Sequence, residues 1–578
     1  MSLLLILFES SAVAQIQCTF GNETSGFGTT ANWPTYHFMN NVTRNATGAL
    51  LMEPLNDANA IAEYKGIYHV MMQEGGGNWS HAVSNNMVQW YLVEDALDSG
   101  GENVRFPDVS PCDGSLSFPD LGEAPYNGST PLIVYDAACG VPLIRSNVKR
   151  GEPHVGAGDD VDRLEVARPA DPSDPYLRSW TKTLPGPIQF DGAPCAFPSK
   201  VWRSESAVTP AWNMLCNMHG NQPWSRFTST TSTLMRWKLA DQNFTIPPVG
   251  GYDFTAGGEM FEKIPNPLPG GNTHMITGRN LNGGRIQSVF YLGNYSATTK
   301  KMTLDMELGP QTIEWGFVHR WAVTSRISDG RLVHIGWLRR PDTEHVQCPT
   351  IPNSPENRFG GCEHSVASLV RELLLDHATG QLVSRPIAEY TNLHTTTFID
   401  RQLVPLLPVD GSAVTLPISE GQGGSLDVDV TFDLSPLGSG GSGGEFGVAL
   451  RSPTDSLSAA LTLAFNASAP DPDGTRLINI RCSSSGGEGN VPAPLPPLRV
   501  LQGERLSVRA LIDRPYIEVF LQGGRIAFVV APAFDATTTA VRLFNGYGGG
   551  RTELVANVTV HGMGCGWATD LPKPRGYT

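Results

Sequence analysis

The chain has 578 residues, 40% of them hydrophobic and 17% charged, a globular balance with more length than one ordinary core needs, so two domains are expected. A formal net charge of −15 excludes nucleic acid and anionic membrane surfaces as natural partners, and is no obstacle to a neutral carbohydrate. No run after the N-terminus approaches the roughly 18 apolar residues of a spanning helix, so no membrane insertion is expected.

The chain opens MSLLLILFESSAVAQ, in which an apolar run from Leu3 to Phe8 precedes the small-x-small pattern Ala12-Val13-Ala14. Residues 1–14 read as a signal peptide, although a basic start is missing and Glu9 interrupts it. Nine glycosylation sequons, from Asn22 to Asn557, and nine cysteines without a CxxC pair favour a secreted, disulfide-bonded protein. An odd cysteine count leaves one thiol over. By separation alone, Cys195–Cys216 and Cys348–Cys362 are candidate bridges.

Between residues 30 and 385, short runs such as GIYHVMMQ, TPLIVYD, SVFYLGN and RLVHIGWL alternate with Gly, Pro and Asn turns, and amphipathic helical runs are nearly absent. Many short strands without crossover helices predict an all-β protein, a propeller or a large sandwich. A change near residues 365–400 leads into a second strand-rich segment, 395–578, whose clearest strands are LSVRALIDRPYIEVFLQGG and RIAFVVAPAF. The stretch GSGGSGG at 438–444 sits inside that segment and reads as a flexible hairpin loop, neither an interdomain linker nor a phosphate cradle.

The stretch EPLNDANAIAEYKGIYHVMMQEGGGNWSHAV resembles the opening of glycoside hydrolase family 32. There an Asn-Asp-Pro-Asn-Gly turn carries the nucleophile, followed by a Tyr-His strand ending in Gln and a Trp-x-His segment. The turn reads Asn56-Asp57-Ala58-Asn59-Ala60, the strand carries Tyr68, His69 and Gln73, and Trp79-Ser80-His81 follows. SLVRELLLDHATGQLVSRP is similar to the family's passage between domains, LIDRPYIEVFLQGGRIAF to its sandwich hairpin, and TIEWGFVHRWAV to its last blades. The resemblance implies a five-bladed β-propeller over 30–385, then a C-terminal β-sandwich over 395–578.

The same resemblance implies chemistry. Asp57 falls where the family has its nucleophile, and Glu262, in Met260-Phe261-Glu262-Lys263, where it has its acid/base; Glu259 is the fallback. Asn56, Gln73 and Trp79 would wall the sugar site, with Trp79 as an apolar platform. Asp113, in a weak match to the family's Phe-Ser-Gly-Ser, would add a carboxylate. Two departures stand out. Ala196 and Phe197 replace the Arg and Asp of the family's Arg-Asp-Pro motif, placing an apolar ring in the sugar subsite. Lys263 places a cation beside Glu262, which favours the charged carboxylate over a proton donor.

Each of these residues has an ordinary structural explanation. An Asn-Asp pair makes turns by bonding its own backbone, Gln73 can be a satisfied strand end, Trp315 and Trp79 can be core, and Glu518 reads as structural. His37, His69 and His81 lack ligand-like partners, so neither metal nor cofactor is expected. The leading reading is a secreted glycosidase of β-fructofuranosides, extracellular, cell-wall or vacuolar, acting through two carboxylates on sucrose, fructan or a related furanoside. The alternatives are a fructosyltransferase, a catalytically silent carbohydrate-binding homologue, and a wall or adhesion protein.

Overall fold

The computed structural model describes the chain from residue 34 to 575, apart from 99–110, 119–129, 138–163, 204–210, 217–223, 249–260, 339–365, 452–458, 485–493, 533–539, 547–552 and shorter gaps. Before residue 53 it also gives the backbone of four short strands. The signal-peptide reading, Glu259, Phe197 and Cys348–Cys362 lie outside the described residues.

Five mainly antiparallel sheets follow one another from Leu55 to Pro386, each with its inner strand at one edge. Those five inner strands are Leu55–Tyr64, Gly114–Ser117, Trp202–Arg203, Phe261–Lys263 and His319–Arg326. The third and fourth blades carry a parallel outer strand as well, Gln189–Asp191 and Thr245–Ile246. Blades bury both faces against their neighbours, which is why Ile67–Glu74 and Leu132–Asp136 read as nearly unbroken apolar runs. This is a five-bladed propeller, and its topology converges the inner strands on one axis.

From His394 onward the chain forms two six-stranded sheets, one holding Leu554–Met563 and Leu506–Asp513, the other Phe446–Arg451 and Ala459–Ala467. Leu554–Met563 alternates buried and half-buried residues, as a strand with one face on a core must. Leu554, Ala556, Val558 and Val560 point into a core shared with Phe446, Phe465 and Val541 of the facing sheet. Full burial of each large aliphatic side chain contributes roughly 1.5–3 kcal/mol. The Gly-rich 438–444 stretch lies mostly outside the described residues; the strands before and after it, Ser425–Asp433 and Phe446–Arg451, belong to different sheets and do not pair as a hairpin.

Cys195–Cys216 forms as its spacing suggested, Cys565 is also disulfide-bonded, and Cys482 is a free thiol that burial pushes up to about 12.

The two domains share a core and an ionic knot. Val323 and Val333 of the last blade pack in one cluster with Tyr516 and Phe520 of the sandwich. At its centre Arg371 donates to Glu518 Oε2 (2.9 Å from Nε, 2.8 Å from Nη2) and to Glu314 Oε2. His37 bridges Asp513 Oδ2 (2.9 Å from Nδ1) and Glu518 Oε1 (3.1 Å from Nε2). Arg371, Glu314, Glu518 and His37 are all 0% exposed. Glu518, read as a structural sandwich residue, thus ties the N-terminal segment and the last blade to the sandwich. Gly524 makes the closest backbone approach at this junction: its φ is +98°, and a Cβ there would lie 2.1 Å from Ser384 O.

After Met563 the chain leaves the sandwich for the first blade. Gly566 donates to Thr35 O, and Ala568 to Trp90 O. Arg575 stacks 4.2 Å over Tyr68 and reaches Glu63 at 2.7 Å, at the far end of the first inner strand.

The knot makes stability pH-dependent. Burial lowers the His37 imidazolium, but the bonds and charges of Asp513 and Glu518 outweigh it and raise His37 from 6.5 to about 9. A raised histidine contributes its stability in full below the unfolded value and loses it as pH climbs through the folded one. Unfolding free energy is therefore expected to fall by on the order of 3 kcal/mol between pH 6.5 and about 9. Denaturant melts of the wild type and His37→Gln across that window check this; an equal fall in both would remove His37 as the cause.

Candidate active site

Asn56 and Asp57 do not form a turn. They lie within the strand Leu55–Tyr64, whose register to its neighbour runs Leu55↔Glu74 and then Ala58↔Met72. Two residues, Asn56 and Asp57, therefore oppose one, Gln73, and the strand is bulged there. A bulge bends the strand and re-aims side chains, and it suits Asn and Asp, which satisfy their own backbone locally. Gln73 in turn pairs with Trp79 on the third strand. The fold thus gathers Asn56, Asp57, Gln73 and Trp79 at one place.

Asn56, Asp57 and Gln73 are half-buried there. Trp79 is not an open platform: it is fully buried, edge-on to Tyr135 at 6.3 Å, in the core between the first and second blades. A ring that fills a seam between sheets has no face left for a sugar.

The next register step, Ala58↔Met72 to Ala60↔Met71, leaves Asn59 as an extra residue. Its side chain is fully buried, and neither amide atom has a hydrogen-bond partner among the described residues. Sequence reasoning passed over Asn59 as part of a turn. Asp113 is buried immediately before the second inner strand, its carbonyl accepting from Asp136 N at 2.8 Å.

On the third blade, Ser199 N donates to Leu215 O and Ser199 Oγ accepts from Leu215 N, both at 2.9 Å. Val201 N donates to Ser117 Oγ of the second blade at 2.8 Å. Pinned on both sides, Lys200 crosses to the fourth blade, where its Nζ lies 2.8 Å from Glu262 Oε1. It also donates to Thr324 O, on the fifth inner strand.

Glu262 sits mid-way along the fourth inner strand, paired with Met275 and half-buried. Its neighbour Phe261 stacks on His274 at 5.1 Å and meets Trp202 at 5.4 Å, filling the seam to the third blade. The cation on Glu262 is Lys200 and not Lys263, which is exposed and whose carbonyl accepts from Arg326. Adjacent strand residues point to opposite faces, so Lys263 is turned away from the face that Glu262 occupies.

His69 and His81 are spent on each other, stacked with Nδ1 and Nε2 3.0 Å apart. Burial drives both down, His69 to about 3, so they stand as neutral core groups. Among the described residues, no cluster of His, Cys, Asp or Glu is arranged to hold a metal, and no helix is long and apolar enough to cross a membrane.

The profile of the C-terminal domain of glycosyl hydrolases family 32 matches residues 390–562. Over its whole length the fold is like that of fructan 1-exohydrolase IIa of Cichorium intybus, with a TM-score of 0.66 at 19% identity, over 94% of this chain and 99% of that one. Residues 390–562 thus carry the C-terminal domain of glycoside hydrolase family 32, and the chain as a whole is similar to members of that family. Within the family it is 25% identical to β-fructofuranosidase 1 of Zea mays, over 82% of this chain and 72% of that protein. It is 23% identical to an insoluble β-fructofuranosidase isoenzyme of Arabidopsis thaliana, over 66% of this chain. The match spans 65% of that relative's length. A variant of the chicory protein has been solved in complex with 1-kestose.

Proposed function

We propose that this family 32 chain is a glycosidase of β-fructofuranosides that works by a retaining mechanism, with Asp57 as nucleophile and Glu262 as acid/base. The observation that carries the reading is the placement of the two carboxylates. Asp57 occupies a bulge on the first inner strand, Glu262 the middle of the fourth, and both inner strands line the propeller axis. Retaining hydrolysis needs two carboxyl groups on opposite sides of the glycosidic bond, about 5–5.5 Å apart. Asp57 would attack the anomeric carbon, forming an ester while the glycosidic C–O bond breaks. Glu262 would give its proton to the departing oxygen, then take one from the water that hydrolyses the ester. Asn56 and Gln73, on either side of the bulge, would bind sugar hydroxyls, and Asp113 would enter from the second blade. Trp79 would shape the site only from behind, and Phe197 would set its altered sugar preference.

A catalytically silent carbohydrate-binding protein is the second reading. The ion pair between Lys200 and Glu262 favours it, since it commits the carboxylate to a partner within the protein. A fructosyltransferase differs only in the acceptor of the covalent intermediate. A secreted, cell-wall or vacuolar setting accompanies all three.

Fructose release from sucrose, inulin, levan and aryl furanosides, measured beside Asp57→Ala, tests the proposal. Release by the wild type that falls at least ~10³-fold in the variant is expected, since the covalent route is then closed. Folded protein that binds these glycans and releases nothing would establish the silent reading.

A further inference from the structure

We propose that Lys200 is a positioning residue for this reaction, holding Glu262 by one carboxyl oxygen so that the other is left to serve the glycosidic oxygen. The inference rests on the reading of Glu262 as acid/base. Three observations carry it. Lys200 Nζ meets Glu262 Oε1 specifically, at 2.8 Å, and both side chains are largely shielded from solvent, 16% and 13% exposed. Lys200 is itself held: its ammonium also donates to Thr324 O, and its backbone neighbours Ser199 and Val201 are bonded to the third and second blades. One side chain therefore links the inner strands of the third, fourth and fifth blades at the axis, with Glu262 at its tip.

The chemistry follows from the donor inventory. An ammonium has three protons to give and accepts none. It occupies a lone pair of Oε1 whether the carboxyl is charged or neutral, and a neutral carboxyl then carries its proton on Oε2. Orientation is thereby fixed in both halves of the reaction: Oε2 donates a proton to the leaving oxygen, and the same Oε2 accepts one from water afterwards. A carboxyl free to rotate would present either oxygen. Positioned groups lose on the order of 10²-fold in rate when displaced by about 1 Å.

This chain has a particular need for the device. Ala196 and Phe197 stand where the family's Arg-Asp pair would organise the site with two charged groups, and neither can bond a carboxyl. Four residues on, Lys200 supplies the cation.

The test compares Lys200→Met and Lys200→Arg with the wild type, in steady-state kinetics on the best substrate and in crystal structures. Lys200→Met is expected to lower kcat about 10²-fold with KM changed less than ~3-fold, while Lys200→Arg recovers at least tenfold of that loss. In the crystal, Glu262 should leave its place in Lys200→Met and keep it in Lys200→Arg. A Lys200→Met protein with unchanged kcat, or with Glu262 unmoved, overturns the proposal, as does a lowered Tm with unchanged kcat, which marks a strut between blades. Should Lys200→Met not fold, Lys200→Gln, which keeps a donor but no charge, takes its place under the same criteria. A wild type that releases no sugar sinks the glycosidase reading alone, because the position of Glu262 in the variant crystals still decides the role of Lys200.

Discussion

Glu262→Ala is expected to lower kcat by about 10²–10⁴-fold, the span that a positioned proton-transfer group contributes. The loss should depend on the leaving group. With a poor one, such as the sugar alkoxide of sucrose or inulin, cleavage needs the proton and falls by the full factor. With an activated aryl furanoside the first step needs little protonation, so that step should fall much less. Breakdown of the covalent intermediate, which lacks its base, then becomes rate-limiting. A small anionic nucleophile such as azide, which needs no deprotonation, should restore turnover of the aryl substrate in Glu262→Ala and do nothing for Asp57→Ala. Equal losses on both substrate types, without azide recovery, would mean that Glu262 is not the acid/base. The half-buried setting of Glu262 on a rigid strand, and not on a loop, is what makes a loss of this size reasonable.

How far the sequence was readable depended on the range of each interaction. Strand patterns are local, so the all-β class and the twin β-rich segments could be read from runs such as GIYHVMMQ and RIAFVVAPAF. Cys195–Cys216 was legible from its separation of 21 residues. The bulge at Asn56 and Asp57 was not, because a bulge is a property of two strands in register, whereas Asn-Asp in one strand is a turn signal. The same register places Asn59 and brings Gln73 opposite Asp57.

The cation that the sequence suggests at Lys263 stands instead at Lys200, 62 positions from Glu262. Trp79 resembled a sugar platform by motif, but the identity of a side chain does not say which face of a blade it fills. The segment 35–37 is the extreme case. Three consecutive backbone amides, of Thr35, Tyr36 and His37, donate to the single carboxylate of Asp513 at 2.6–2.8 Å, across 476–478 positions of sequence. Nothing in the run Thr35-Tyr36-His37 announces a partner so distant.

Arg371→Met is expected to destabilise the protein by about 3–5 kcal/mol, the cost of removing one partner from a buried ionic group. The guanidinium is fully buried, serves Glu518 and Glu314 together, and lies 4.9 Å over the Phe520 ring. Its loss strands two carboxylates. Burial raises both, and in the intact protein the Arg371 charge, with the His37 bond next, pulls Glu518 down to about 2. Glu314 remains raised by its burial even beside Arg371. Without the arginine, the carboxylates must either take up protons or open the interface to water. Glu518 then no longer contributes what a depressed carboxylate supplies, stability that is present above the unfolded value and lost as pH falls towards 2.

The damage should also be directional. Glu518 and Glu314 hold the backbone amides of Leu369, Gly316 and Val529, which lie at the join between propeller and sandwich. Thermal unfolding of Arg371→Met should therefore begin as separation of the domains, seen as a second transition or as early exposure of the 366–376 segment to amide exchange, while the sandwich core unfolds later. The double variant Arg371→Met with Glu518→Gln should recover part of the loss, because one stranded charge is removed along with its partner. A single cooperative transition at the wild-type temperature would mean that the shared apolar core alone holds the domains, and that the ionic knot merely fills its space.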